Sequence, residues 1–155
     1  MGVTTSNLSL GKAKGYPGLS LERTVDYVDM FTSGSCHVLA NKIHKLTDWP
    51  IHCFLGEDGE ADIHAFVVPC PGWRLDVDGL REDEDHNLWL GLDPNRDHRS
   101  FSYEEIVDAG WVEPGELQTE CAEEIAPLLI TIARTNLPKR PCEERHPYKE
   151  GTPGT

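Results

Sequence analysis

Gly34-Ser35-Cys36-His37-Val38-Leu39-Ala40-Asn41-Lys42-Ile43 is the stretch around which the rest of the chain is arranged. A loose Thr-Ser-Gly-Ser turn over residues 32–35 runs straight into a cysteine and then into apolar residues of helical period. Cys36, Leu39, Ile43 and Leu46 fall on one face of a helix, which the spacing carries to about Thr47. Capping by Ser33 or Ser35 places Cys36 in the first turn, on the face that must pack against something. Unpaired N–H groups and the positive end of the helix dipole stabilise a thiolate there and lower the thiol pKa. The contrasting reading is a small buried hydrophobe, the usual fate of a free cysteine.

Upstream, Ser20 is placed to cap a helix in which Leu21, Val25, Val28 and Phe31 share a face, and residues 1–18 read as irregular. Downstream, Asp48-Trp49-Pro50 ends the cysteine helix, because a residue preceding proline leaves the α region. Strands follow at residues 51–55, 63–68 and 73–78, separated by turns at residues 56–60 and 69–72. In the third, Trp73, Leu75 and Val77 alternate with Arg74, Asp76 and Asp78. This is an antiparallel meander whose apolar face is expected to lie on the cysteine helix. Residues 81–86 read as an acidic loop and residues 87–92 as a fourth strand. Ser102 and Glu105 form a capping-box pattern for a short helix ending at Gly110. Residues 116–136 carry helical periodicity through Leu117, Cys121, Ile125, Leu128, Leu129 and Ile132, with Pro127 expected to kink or break the helix. The expected class is α+β: a small antiparallel sheet packed on the helix bearing the cysteine. One domain over residues 19–137 is expected, then a disordered tail over residues 138–155.

The 155 residues suffice for one domain with a real core. No apolar run approaches the roughly 18 residues of a membrane span, and the first 18 residues lack a secretory h-region, so a cytoplasmic protein without membrane contact is the expectation. Five widely spaced cysteines form no C-x-x-C pair, which favours reduced thiols. The 27 acidic residues outnumber 14 basic ones, a formal charge of −13 that argues against direct nucleic-acid binding. The same charge suits a basic protein partner or mimicry of a nucleic acid.

A nucleophilic cysteine needs a base. His37 follows Cys36 and points about 100° away around the helix, a poor partner geometry, and His44 lies more than two turns down the axis. His52 and His64 stand on strands able to pack beside the helix N-terminus. His64 has the better context, because a carboxylate at Asp76 or Asp78 on the next strand can hold its other ring nitrogen. Hairpin register decides whether ring and acid share a face.

Cysteine at a helix start, histidine at a strand start and an acid on the next strand resemble the papain-like and transglutaminase-like thiol enzymes. NlpC-type cell-wall peptidases and arylamine acetyltransferases show a similar order. The segments around Cys36, residues 46–51, His64 and residues 75–76 are also similar to a group of phage and actinobacterial proteins. Together these cover roughly residues 30–80. The resemblance implies Cys36 as nucleophile, His64 as base and Asp76 as orienting acid, with Asp78 in reserve, and a protein or peptide substrate. It implies no cofactor. The chain departs from papain in lacking a glutamine-bearing segment before the cysteine; the Cys36 N–H supplies one oxyanion donor and the second is unassigned. The histidine signature of transglutaminases is present only as His64-Ala65-Phe66.

Other chemistries fit less well. Cys36, His37, His52, Cys53 and His64 lack recognised zinc-ligand spacing. Asp83, Asp85, Asn87 and Asp93 lack the glycine and terminal glutamate of an EF-hand loop. There is no phosphate-cradling glycine loop, and Ser33 and Ser35 sit in no nucleophile elbow. The leading expectation is a thiol enzyme acting on an amide or acyl bond through a Cys36 acyl-enzyme, as a protease, deamidase or acyl transferase. The alternative is a non-catalytic acidic module that binds a basic protein surface.

Overall fold

The computed structural model describes residues 21–32 and 34–138, with the side chains of residues 21–25 left aside. The N-terminal segment, the Ser20 and Ser33 caps and nearly all of the C-terminal tail expected from sequence lie outside these residues. Two helices lead: α1 (Leu21–Thr32) and α2 (Cys36–Thr47). A run of four strands follows: β1 (Ile51–Leu55), β2 (Ala61–Cys70), β3 (Trp73–Asp76) and β4 (Gly79–Glu82). Then come α3 (Asp83–Trp89), β5 (His98–Ser100), α4 (Tyr103–Asp108) and α5 (Glu116–Asn136). The strands form one antiparallel sheet in the order β4-β3-β2-β1-β5. The chain is thus mixed α+β around a small antiparallel sheet.

One side of the sheet carries the main core. Ile51, Cys53, Ala65, Val67 and Leu75 are buried there in one cluster with Leu39 and Ile43 of α2 and Ile125 and Leu129 of α5. The Tyr27 hydroxyl of α1 donates to Glu124 of α5, joining the outer helices. Leu46, expected on the inner face of α2, is 48% exposed, because the last turn of the helix is largely open to solvent. Asp48 closes that helix with φ of 67°, a left-handed cap before Trp49-Pro50.

Two other expectations change. The segment expected to be an acidic loop and a fourth strand at residues 87–92 is instead β4 followed by α3. Alternating Leu88, Leu90 and Leu92 imitate a strand. Asp83, Glu84 and Asp85, however, occupy the first turn of a helix, where negative charge complements the dipole. Pro127 does not break α5, which runs continuously for 21 residues. The lost proline N–H bond is offset by the packing of Ile125, Ala126, Leu129 and Ile130, all buried around it. The Ser102–Glu105 capping box is present as expected, with both bonds made at α4.

Candidate active site

The opposite side of the sheet carries Arg74 and Asp76 from the polar half of the third strand's alternation, yet it too is buried. Phe54, Phe66 and Val68 form a second apolar cluster, and His86 of α3 packs edge-on to Phe66 at 5.2 Å. Within this layer Arg74 is 2% exposed, with its guanidinium 4.7 Å from the Phe66 ring centre. Its Nε donates to Asp83 at 3.0 Å and its Nη1 to Asn87 at 2.6 Å. These bonds and the aromatic faces compensate the cost of burying the charge.

A bulge places His64. β1 and β2 pair at Ile51↔Val67, His52↔Phe66 and Cys53↔Ala65, but Phe54 then pairs with Asp62, which leaves Ile63 and His64 as two extra residues on β2. Ile63 takes φ of 66°, rare for a β-branched residue, and its side chain is 47% exposed while His64 turns inward to 4% exposure. On the other edge, Val67 pairs with Leu75, so Asp76 falls opposite Phe66 on the face that carries His64. His64 Nε2 donates to Asp76 Oδ2 at 2.7 Å. Asp76 Oδ1 accepts the Asp78 N–H at 2.9 Å, and the Asp78 carboxylate turns instead to Arg81 at 3.3 Å. Of the two acids weighed from sequence, it is Asp76 that meets the ring.

Cys36 opens α2 and is 5% exposed. β3 ends at Asp76, so β2 has no β3 neighbour beyond it, and the Ala65 N–H there donates to the Cys36 sulfur at 3.3 Å. Burial alone raises a thiol pKa, but the neighbouring rings of His37 and His64 outweigh it and bring Cys36 down to about 6. His64 moves the other way. Burial alone lowers it, but Asp76 and Cys36 hold the ring protonated up to about 10. Burial likewise raises the Asp76 carboxyl, and the rings of His86 and His64 hold it well below the usual carboxylate range. The directions of these three shifts favour charge separation: thiolate at Cys36, imidazolium at His64 and carboxylate at Asp76. Cys53, wholly buried, is pushed well above the usual thiol range, first by that burial.

Two residues enter that sequence reasoning set aside or missed. His37 is a poor partner by its angle on the helix, and its Nδ1 indeed makes no hydrogen bond, but the ring lies near enough to help lower the thiol pKa. It is held by an Nε2 bond to the Val112 carbonyl at 2.6 Å and an edge contact with Trp111 at 5.2 Å. His86 donates from Nε2 to the same Asp76 Oδ2, at 2.9 Å, while its Nδ1 lies 3.1 Å from Arg74 Nη1. It sits in the stretch that sequence alone renders as an acidic loop, and its partner Arg74 is buried, which no sequence signal marks. The other histidines among the described residues make other bonds: His44 bonds the Trp49 carbonyl, and His52 Nδ1 meets His98 Nδ1 at 2.9 Å. Cys36 and Cys53 are free thiols, whereas Cys70 is disulfide-bonded, a departure from five reduced thiols.

Cys36, His37, His52, Cys53 and His64 do not converge as a ligand set. Among the described residues, His64, Asp76 and His86 do have donor atoms within 4.8 Å of one another. A cation there would need the Nε2 lone pair of His86, moving its proton to Nδ1. That proton would point at an Arg74 group able only to donate. The donor set therefore suits protons better than a metal. Among the described residues no helix is long and apolar enough to cross a membrane. No protein family, curated protein or solved structure matches the chain.

Proposed function

We propose that this chain is a cysteine-nucleophile enzyme acting on an amide or acyl bond. The observation that carries the reading is the buried His64–Asp76 bond of 2.7 Å beside Cys36, whose sulfur accepts the N–H of Ala65, the next residue after His64. A low-pKa thiol beside an imidazole that a carboxylate orients is the arrangement from which a thiolate attacks carbonyl carbon.

In the acylation step the Cys36 thiolate bonds to the carbonyl carbon and the C=O electron pair moves to oxygen. Collapse of that tetrahedral species expels the leaving group, which takes the His64 proton. Neutral His64 then accepts a proton from water or an amine acceptor as that acceptor attacks the thioester. The product leaves with the acyl group, and the proton taken up restores the thiolate–imidazolium pair. Asp76 keeps its charge throughout and fixes which ring nitrogen faces the sulfur. Reaction requires a carbonyl carbon within about 3.5 Å of the sulfur. Cys36 is 5% exposed and packed among Phe31, Leu39, Ala65 and Leu75, so productive binding must part these groups. Papain-like or transglutaminase-like descent is part of this proposal and rests on the order Cys36, His64, Asp76.

The test is acyl trapping. The full chain is treated with p-nitrophenyl acetate and the modified residue is identified by mass spectrometry. The expected product is an acetyl thioester at Cys36, absent from Cys36→Ser and strongly reduced in His64→Phe. Unmodified Cys36 in folded protein, with acetylation only at lysines or at Cys121, would overturn the reading.

A further inference from the structure

The Asp76 carboxylate is approached from two sides, and only His64 belongs to the reaction proposed above. The second imidazole, His86, is 1% exposed and lies between Asp76 and the Arg74 guanidinium. Arg74 has only donors to offer, so the His86 Nδ1 that faces it must carry a lone pair. The ring proton is therefore on Nε2, aimed at Asp76 Oδ2. One neighbour thus fixes the tautomer, and the fixed tautomer delivers a neutral N–H to the carboxylate. Burial and the charge of Arg74 both oppose a second proton, which keeps the ring neutral.

From this geometry we propose that His86 is a positioning residue that separates Arg74 from Asp76 and so reserves the Asp76 charge for His64. The assignment rests on the thiol-enzyme reading of Cys36 and deepens it. The alternative partner for Asp76 is close at hand. Arg74 already acts on Asp76 through space, and a direct guanidinium–carboxylate pair would be short, two-pronged and strong. In such a pair the carboxylate would turn from His64 and its charge would be compensated. His64 would then hold its proton less well, and the Cys36 thiol would return toward its ordinary value. A neutral ring in between passes a hydrogen bond while keeping the cation one imidazole away. The chain of contacts continues outward: Arg74 is pinned by Asp83 and Asn87, and Asn87 Nδ2 in turn donates to the Pro94 carbonyl at 2.9 Å.

The test compares His86→Leu with His86→Gln in the full chain, reading the rate of Cys36 alkylation by iodoacetamide against pH. Glutamine keeps both polarities, an amide N–H for Asp76 and an amide oxygen for Arg74, but cannot titrate. Leucine removes the spacer. His86→Leu is expected to raise the Cys36 midpoint by about two pH units and cut the rate at neutral pH about tenfold, the fall in thiolate fraction. His86→Gln is expected to stay within about threefold of the wild type. A folded His86→Leu protein with the wild-type profile would show that the ring only packs; a glutamine variant as impaired as leucine would refute the donor–acceptor logic. Should His86→Leu fail to fold, nitrogen-15 NMR of the histidine rings in the wild type decides instead. Neutral His86 protonated at Nε2, from mildly acid to mildly alkaline pH, supports the assignment, and protonation at Nδ1 or a doubly protonated ring removes it. An ordinary Cys36 midpoint in the wild type sinks the enzyme reading and this assignment together, whereas unchanged His86→Leu sinks this one alone.

Discussion

At the scale of single residues, two imidazoles lie near one sulfur and their outer bonds distinguish them. His64 gives its N–H to an ionised carboxylate, whereas His37 gives its own to the Val112 carbonyl. A charged acceptor stabilises an imidazolium far more than a neutral one does. His64→Phe should therefore move the Cys36 midpoint from about 6 most of the way to its ordinary value of 9.0. Alkylation at neutral pH should fall on the order of 100-fold. The sign follows from the ion pair: alkylation rises as pH passes about 6 and does not fall when His64 gives up its proton near 10, because the sulfur remains a thiolate. His37→Phe should cost much less, because that ring has no acid to hold a charge. The rate–pH curve of each variant, read at Cys36 by mass spectrometry, checks the ranking, and a larger loss in His37→Phe would make His37 the base. Cys36, His64 and Asp76 were legible because their order along the chain carries the pattern. His86 was not, because its partner is a buried arginine, and nothing in the sequence says that Arg74 faces inward.

At the scale of elements, periodicity located what local sequence controls and missed what tertiary packing decides. The cysteine helix and the first hairpin follow from spacing and the Ser102 box from capping chemistry, whereas Ser35 stands at the N-cap of α2 without a side-chain bond. The continuity of α5 through Pro127 does not, since it depends on the buried residues on either side. Nor does the bulge at Ile63-His64, which turns on how β1 and β2 pair rather than on either strand alone. That bulge makes a direct prediction. A β-branched residue at φ of 66° is strained by roughly 1–2 kcal/mol, and glycine adopts the conformation freely. Ile63 is half exposed, so little packing is lost on its removal. Ile63→Gly should stabilise the protein by about 0.5–1 kcal/mol, the strain relief less the entropy that glycine adds to the unfolded chain. Urea unfolding measures this. The Cys36 rate–pH curve should stay as in the wild type, because the extra residues that aim His64 remain. Destabilisation would mean that the bulge is not strained in the way its backbone angle indicates.

At the scale of the whole molecule, the charge of −13 gains a division of labour that composition alone does not reveal. In the acidic run, Asp83 and Asp85 are tied to the buried Arg74 and Arg81, whereas Glu82 and Glu84 project into solvent. Neutralising all four residues removes the carboxylate that Asp83 gives the buried Arg74 and one of the two, from Asp85 and Asp78, that the buried Arg81 holds. A buried guanidinium stripped of its carboxylate is costly, while an exposed glutamate contributes little. Asp83→Asn with Asp85→Asn should therefore lower the urea midpoint clearly, and Glu82→Gln with Glu84→Gln should leave stability within about 0.5 kcal/mol. This contrast also supplies the clean probe for the rival reading, an acidic module that grips a basic partner. With polylysine as the probe, such a module should bind in a manner that weakens steeply with salt, since exposed charges are screened within about 10 Å at 0.1 M. Loss of Glu82 and Glu84 should weaken it further, and Cys36→Ser should not. If binding is absent or indifferent to salt while Cys36 retains its low midpoint, the acidity serves solubility and the chemistry stays with the thiol. If the complex is salt-sensitive and survives Cys36→Ser, the exposed acids carry a binding function of their own.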